Sequence, residues 1–186
     1  LLNSVENDLA KARLALKNAE LLYSPEEVEI AIDKMAEEIT KQLKNKSPIC
    51  FCIMNGGLII SGRLLSKLSF PLEISYIHAT RYGNAIKGKD IKWEVAPTGN
   101  LKNRTILLID DILDEGITLQ TIKEYCEETG AKEVFTAVLI DKQHNRKVLP
   151  KIKADFTGLE APDRFLFGCG MDYMGYWRNL PAIYAL

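Results

Sequence analysis

The chain has 186 residues, 47% apolar and 26% charged, a length and balance that suit one globular domain with a sizeable core and leave too little chain for two. Its 24 Lys and Arg nearly cancel 25 Asp and Glu, for a net charge of −1. That excludes the basic surplus of a large nucleic-acid footprint, but not a small anionic ligand held by a few placed donors.

Residues 1–22 mix Leu, Ala, Lys and Glu, which predicts a surface helix. They contain neither a long apolar run nor a cationic lead-in, so no signal peptide and no membrane span are expected, and the protein is expected to be cytoplasmic. Ser24-Pro25-Glu26-Glu27 is a helix start: Ser24 can cap, Pro25 suits the first helical position, and Glu27 can reach back to the cap's amide. Val28, Ile32, Met35, Ile39 and Leu43 then fall on one face of a long helix. Ile49 to Met54 reads as a buried strand, broken by Asn55-Gly56-Gly57, and helical spacing resumes over residues 58–68. Residues 72–78 predict a further strand. In residues 80–100, punctuated by Gly83, Gly88, Pro97 and Gly99, the alternation of Ile91, Trp93 and Val95 predicts a short hairpin arm.

From Thr105 the pattern sharpens. Ile106 to Ile109 is a fully apolar strand, followed by an acidic loop to Gly116 and a helix from about Thr118 to Thr129, with Leu119, Ile122 and Cys126 inward and Gly130 as its stop. Val134 to Ile140 is the next buried strand. Strand, helix and strand in this span form a βαβ unit, and continuous apolar strands imply a mainly parallel sheet covered on both faces. The class is α/β. The cysteines Cys50, Cys52, Cys126 and Cys169, with His78 and His144 the only histidines, show no zinc-ligand spacing; free thiols in a reducing compartment are expected.

Open parallel sheets bind ligands beyond the carboxyl ends of their strands, where residues 110–118 fall. Asp110 and Asp111 are adjacent carboxylates that repel unless hydroxyl donors or a divalent cation meet them; two vicinal ribose hydroxyls suit their acceptors. Asp114 follows, Gly116 permits close backbone approach, and Thr118 opens a helix whose N-terminal amides suit a phosphate. Asp-Asp by itself is compatible with an ordinary acidic loop. The full run of apolar residues, paired acids, a third acid, glycine and threonine is not explained by capping.

Residues 106–118 resemble the phosphoribosyl-pyrophosphate (PRPP) motif of type I phosphoribosyltransferases. The similarity extends from Asn103 to about Leu180, where the chain resembles the hypoxanthine-guanine phosphoribosyltransferase family, with a looser match over residues 52–65. The resemblance implies a twisted, mainly parallel sheet flanked by helices, a small hood built from the N-terminal segment and about residues 155–186, and a mobile flap at about 80–98, all within a single domain over residues 1–186. It implies that Asp110 and Asp111 bind the ribose hydroxyls, directly or with magnesium, that Asp114 is the general base near purine N7, and that Glu115, Gly116, Ile117 and Thr118 cradle the 5′-phosphate. Lys142, at the end of Leu139-Ile140-Asp141-Lys142, would read the purine's 6-oxo group. Phe165 would stack on the base and the Leu166 backbone meet its edge, with Phe167 in the core. Asp172 would be a second magnesium ligand near the base, and Arg178 would hold pyrophosphate together with Asn55 and Gly56. Standing alone, Lys142 reads as a solvated lysine and Asp172 with Arg178 as a surface ion pair.

The chain departs from the family in two places. Asn55 stands where the family commonly carries lysine, and Arg81 precedes Tyr82 where the family has a Ser-Tyr pair, so Arg81 is expected to meet phosphate or a neighbouring subunit. The implied reaction joins hypoxanthine or guanine to PRPP, giving IMP or GMP and pyrophosphate, with Mg2+ as cofactor and a homodimer or homotetramer as the assembly. The competing readings are a xanthine-preferring transferase and a non-catalytic PRPP-sensing regulator. A dinucleotide-binding enzyme would need more glycines before the helix than Gly116 alone.

Overall fold

The computed structural model describes residues 2–81, 91–147 and 152–186. Helix α1 (Leu2–Asn18) leads into a short strand β1 (Glu20–Tyr23), so the predicted surface helix ends earlier than residue 22. Four residues are too few for a periodicity to register. Helix α2 (Pro25–Leu43) begins with the full reciprocal cap: Ser24 Oγ accepts from the Glu27 amide at 3.2 Å, and Glu27 accepts from the Ser24 amide at 2.8 Å. The five apolar residues of its predicted face are all buried, each worth about 1.5–3 kcal/mol relative to exposure.

The central sheet has the order β4-β3-β2-β5-β6-β7. Its members are β2 (Ile49–Met54), β3 (Glu73–Arg81), β4 (Ile91–Val95), β5 (Thr105–Leu113), β6 (Glu133–Gln143) and β7 (Phe156–Pro162). All neighbours are parallel except the edge pair β3 and β4, the predicted hairpin arm. Alternation along β5 divides the core. Leu107 and Ile109 pack with α2 and with α3 (Gly57–Leu65) on one face, while Ile106 and Leu108 pack with α4 (Ile117–Glu128) on the other. A sheet covered on both sides explains why β2 and the first half of β5 read as unbroken apolar runs.

After β2 the chain passes through α3 to β3 on one side, whereas β5 lies on β2's other side. This reversal of direction opens a crevice beyond the carboxyl ends of β2 and β5. A second, antiparallel sheet, β1-β9-β8, joins the N-terminal strand to β8 (Leu166–Phe167) and β9 (Ile183–Ala185). Phe167 is fully buried, as expected, and all four cysteines are free thiols. Among the described residues no helix is long and apolar enough to cross a membrane.

Candidate active site

β2 ends in a turn that must hug the neighbouring strand. The Met54–Asn55 peptide is cis, and the Leu58 amide donates to the Asn55 carbonyl at 3.2 Å as α3 begins. A Cβ on Gly57 would sit 2.5 Å from the Ile109 carbonyl oxygen, and one on Gly56 would sit 2.2 Å from Asp111 Oδ2. Only glycine lets the turn lie against the acids of β5.

Those acids remain within the strand. β5 runs to Leu113 instead of stopping at Ile109, because Ile112 and Leu113 continue the pairing with Ile140 and Asp141 of β6. The Asp111 amide donates to Asp110 Oδ1 at 3.0 Å. Asp111 is 7% exposed, whereas Asp110 keeps part of its surface open. Burial, reinforced by the charge of Asp111, pushes the Asp110 carboxyl well above the usual carboxylate range. Burial also raises Asp111, against a hydrogen bond with Asp110 and the positive charge of Arg178. Such a pair calls for a compensating cation or hydroxyl donors. The next turn closes on Gly116, whose φ of 83° is left-handed and whose Cβ would meet Ile152 Cδ1 at 2.8 Å. Helix α4 therefore starts at Ile117, with Thr118 second.

Asn55, Gly56, Asp110, Asp111, Asp114, Glu115, Gly116, Thr118 and Arg178 all line one cavity of about 310 Å³. Nine predicted residues from three distant stretches thus converge. Ile117, Lys142, Phe165, Leu166 and Asp172 do not line it. Asp172 is linked to it through Arg178, whose Nη2 lies 2.6 Å from Asp172 Oδ1 while Nη1 donates to the Gly170 carbonyl at 2.6 Å. The Gly175 amide donates to Asp172 Oδ2 at 2.7 Å. Lys142 is linked through Asp114: its Nζ lies 3.2 Å from Asp114 Oδ2 and 3.7 Å from Asp163 Oδ1, and the residue is 9% exposed. Far from a solvated lysine, it is a buried cation between two carboxylates. Phe165 is 50% exposed, its ring edge-on to Tyr173 at 5.6 Å, and Leu166 is buried in β8. Arg81 closes β3 opposite Ile91; Tyr82 and residues 83–90 of the predicted flap lie outside the described residues.

Three features escaped the sequence reading. His144 reaches Asp114 Oδ1 with Nε2 at 2.6 Å. Arg146 pairs with Asp163, and that hydrogen bond holds the Asp163 carboxyl down to about 2. Gly170, with φ of 108°, brings the C-terminal loop so close that a Cβ would sit 2.1 Å from the Gly56 carbonyl oxygen. His144 lies just past the end of β6, two residues after Lys142, and no local sequence pattern assigns it to Asp114.

The family model described as "Phosphoribosyl transferase domain" matches residues 18–174. The chain belongs to the phosphoribosyltransferase family. The hypoxanthine-guanine phosphoribosyltransferase of Bacillus subtilis is 32% identical over 164 residues, 88% of this chain and 90% of that protein. Its namesake in Aquifex aeolicus is 32% identical over 170 residues, 90% and 94% of the two chains. A crystal structure of a hypoxanthine phosphoribosyltransferase from Staphylococcus aureus superposes with a TM-score of 0.84 at 28% identity, covering 90% of each chain. Within the phosphoribosyltransferases the chain is thus a member of the hypoxanthine-guanine family, and it is an enzyme of purine salvage.

For this phosphoribosyltransferase, a metal held wholly by side chains does not fit. Among the described residues no group of three His, Cys, Asp or Glu could hold an ion, and Asp172 is turned to Arg178. Two adjacent carboxylates with elevated pKa do fit magnesium, which keeps several waters and takes one or two carboxylates plus substrate phosphates.

Proposed function

We propose that the chain joins hypoxanthine or guanine to PRPP, giving IMP or GMP and pyrophosphate, with magnesium accompanying the substrate. The observation that carries the choice of base is Lys142. Its ammonium is buried against Asp114 and Asp163 at the rim of the acid-lined cavity. A 6-oxo group can replace those carboxylates as its acceptor, whereas adenine's 6-amino group is a donor and cannot.

In this reading Asp110 and Asp111 accept from the ribose hydroxyls, and Glu115, Gly116, Ile117 and Thr118 take the 5′-phosphate at the start of α4. N9 of the purine attacks C1 of the ribose as the C1–O bond to pyrophosphate breaks, through an oxocarbenium-like state. The proton shed by the purine passes to Asp114. Arg178 and the Asn55-Gly56 turn hold the departing pyrophosphate. Magnesium, when bound beside Asp110 and Asp111 or near Asp172, supplies neutralising charge to the phosphate oxygens. Phe165 and Leu166 receive the base from the β1-β9-β8 sheet, which serves as a hood.

A cytoplasmic location accords with four free cysteines. Assembly as a homodimer or homotetramer is supported by an apolar hollow of about 550 Å³ between α3 and β3, rimmed by exposed Leu58, Ile74 and Tyr76.

The deciding experiment is a spectrophotometric assay with PRPP, magnesium and each of hypoxanthine, guanine, xanthine and adenine. Turnover is expected with the first two; a preference for adenine would overturn the role of Lys142, and a preference for xanthine would reassign the base. Asp114→Asn is expected to lower kcat roughly 10²–10⁴-fold while leaving PRPP binding intact. Absence of turnover with every base, with PRPP still bound, would favour a sensor.

A further inference from the structure

Asp114 is gripped on an oxygen that the reaction scheme leaves unused. His144 Nε2 lies 2.6 Å from Asp114 Oδ1, and the His144 side chain is 2% exposed. The ring's other nitrogen, Nδ1, accepts from the Arg146 backbone amide at 3.0 Å. A ring nitrogen that accepts an amide hydrogen bond carries no proton, so in the neutral imidazole the proton sits on Nε2 and is directed at Asp114. Asp114 Oδ2 faces a different partner, Lys142 Nζ at 3.2 Å.

The two holders are not equivalent. Lys142 is the group expected to turn toward the purine, which frees Oδ2 when substrate arrives. His144 is enclosed and held in one tautomer by the backbone. Among the described residues Arg146 is the remaining cation within reach of Oδ1, at 4.0 Å, and it is already committed to Asp163. Without His144, a carboxylate on a turn between β5 and α4 would have free rotation once Lys142 let go.

We propose that His144 is the positioning residue for Asp114: by donating from Nε2 to Oδ1 it fixes the carboxylate's rotation and reserves Oδ2 for the proton leaving the purine. The inference rests on the reading of Asp114 as general base. It extends to catalysis the rule that a base is itself oriented by a third group.

The test compares His144→Ala, His144→Gln and His144→Asn in the full chain. A glutamine amide nitrogen reaches the Nε2 position, whereas an asparagine nitrogen reaches only that of Nδ1, at similar side-chain character. The alanine and asparagine variants are expected to lose about 10- to 100-fold in kcat, the scale of a misplaced catalytic group, with KM for PRPP within about twofold. Glutamine is expected to restore kcat to within a few-fold. Combined with Asp114→Asn, His144→Ala is expected to add no further loss. Equal activity of the glutamine and asparagine variants, an unimpaired alanine variant, or an additive loss on Asp114→Asn would each overturn the proposal. The first comparison stands even if the alanine variant does not fold. Full turnover by Asp114→Asn would instead remove the base reading itself, whatever the His144 variants do.

Discussion

Asp111 touches Gly56 so closely that a single methyl group would displace it, since a Cβ there would lie 2.2 Å from Oδ2. Gly56 has φ of −59°, which any residue adopts, so Gly56→Ala tests contact without backbone strain. We expect at least a ten-fold loss in kcat/KM for PRPP, read by steady-state kinetics, with little change in the circular dichroism spectrum. The thiols offer a second prediction at this scale. Burial pushes Cys50 from the ordinary 9 up to about 12, and burial assisted by Glu127 does the same to Cys126. Native protein at pH 8 should therefore resist iodoacetamide at both, and react once unfolded. The unfolded chain sheds these protons from about pH 9 while the folded one holds them, so their contribution is complete below pH 9 and is lost progressively toward pH 12. Denaturant midpoints measured from pH 8 to 11 should fall, and a Cys50→Ala, Cys126→Ala double variant should fall less steeply.

Elements whose local chemistry is complete were legible from the chain. The start of α2 is one: Ser24, Pro25 and Glu27 make their cap without help from the rest of the molecule. Ser24→Ala should cost about 1 kcal/mol, seen as a melting temperature lower by about 2–4 °C, with activity unchanged. Elements that depend on a partner strand were misjudged at their ends. The acids of β5 suggested a loop after Ile109, yet pairing to β6 holds them extended through Leu113. Glu20–Tyr23 carries no strand signal, and becomes one because Tyr184 and Ala185 lie opposite. The early start of α4 has the same origin: Gly116 packs against Leu113 and Ile152, and the helix begins at the following residue.

At the scale of the molecule, the hollow beside α3 and β3 offers an apolar face suited to a second copy, with Ile74 two-thirds exposed at its rim. Ile74→Glu should shift the protein to a smaller species in size-exclusion chromatography with light scattering; an unchanged mass would rule this face out. The parallel sheet and the run of paired acids, glycine and helix start that follows Ile109 were legible in the sequence alone, because hydrophobic periodicity and the residues of one turn act over short distances along the chain. The division of labour around Asp114 was not. Lys142, His144, Asp163 and Arg146 lie up to 49 residues from it, and which of them meets which carboxylate oxygen depends on β6 and β7 lying side by side. Residues 106–118 set out the paired acids, Gly116 and the helix start unaided; what grips Asp114 there, and what encloses Gly56 from the C-terminal loop, only the packing of distant segments decides.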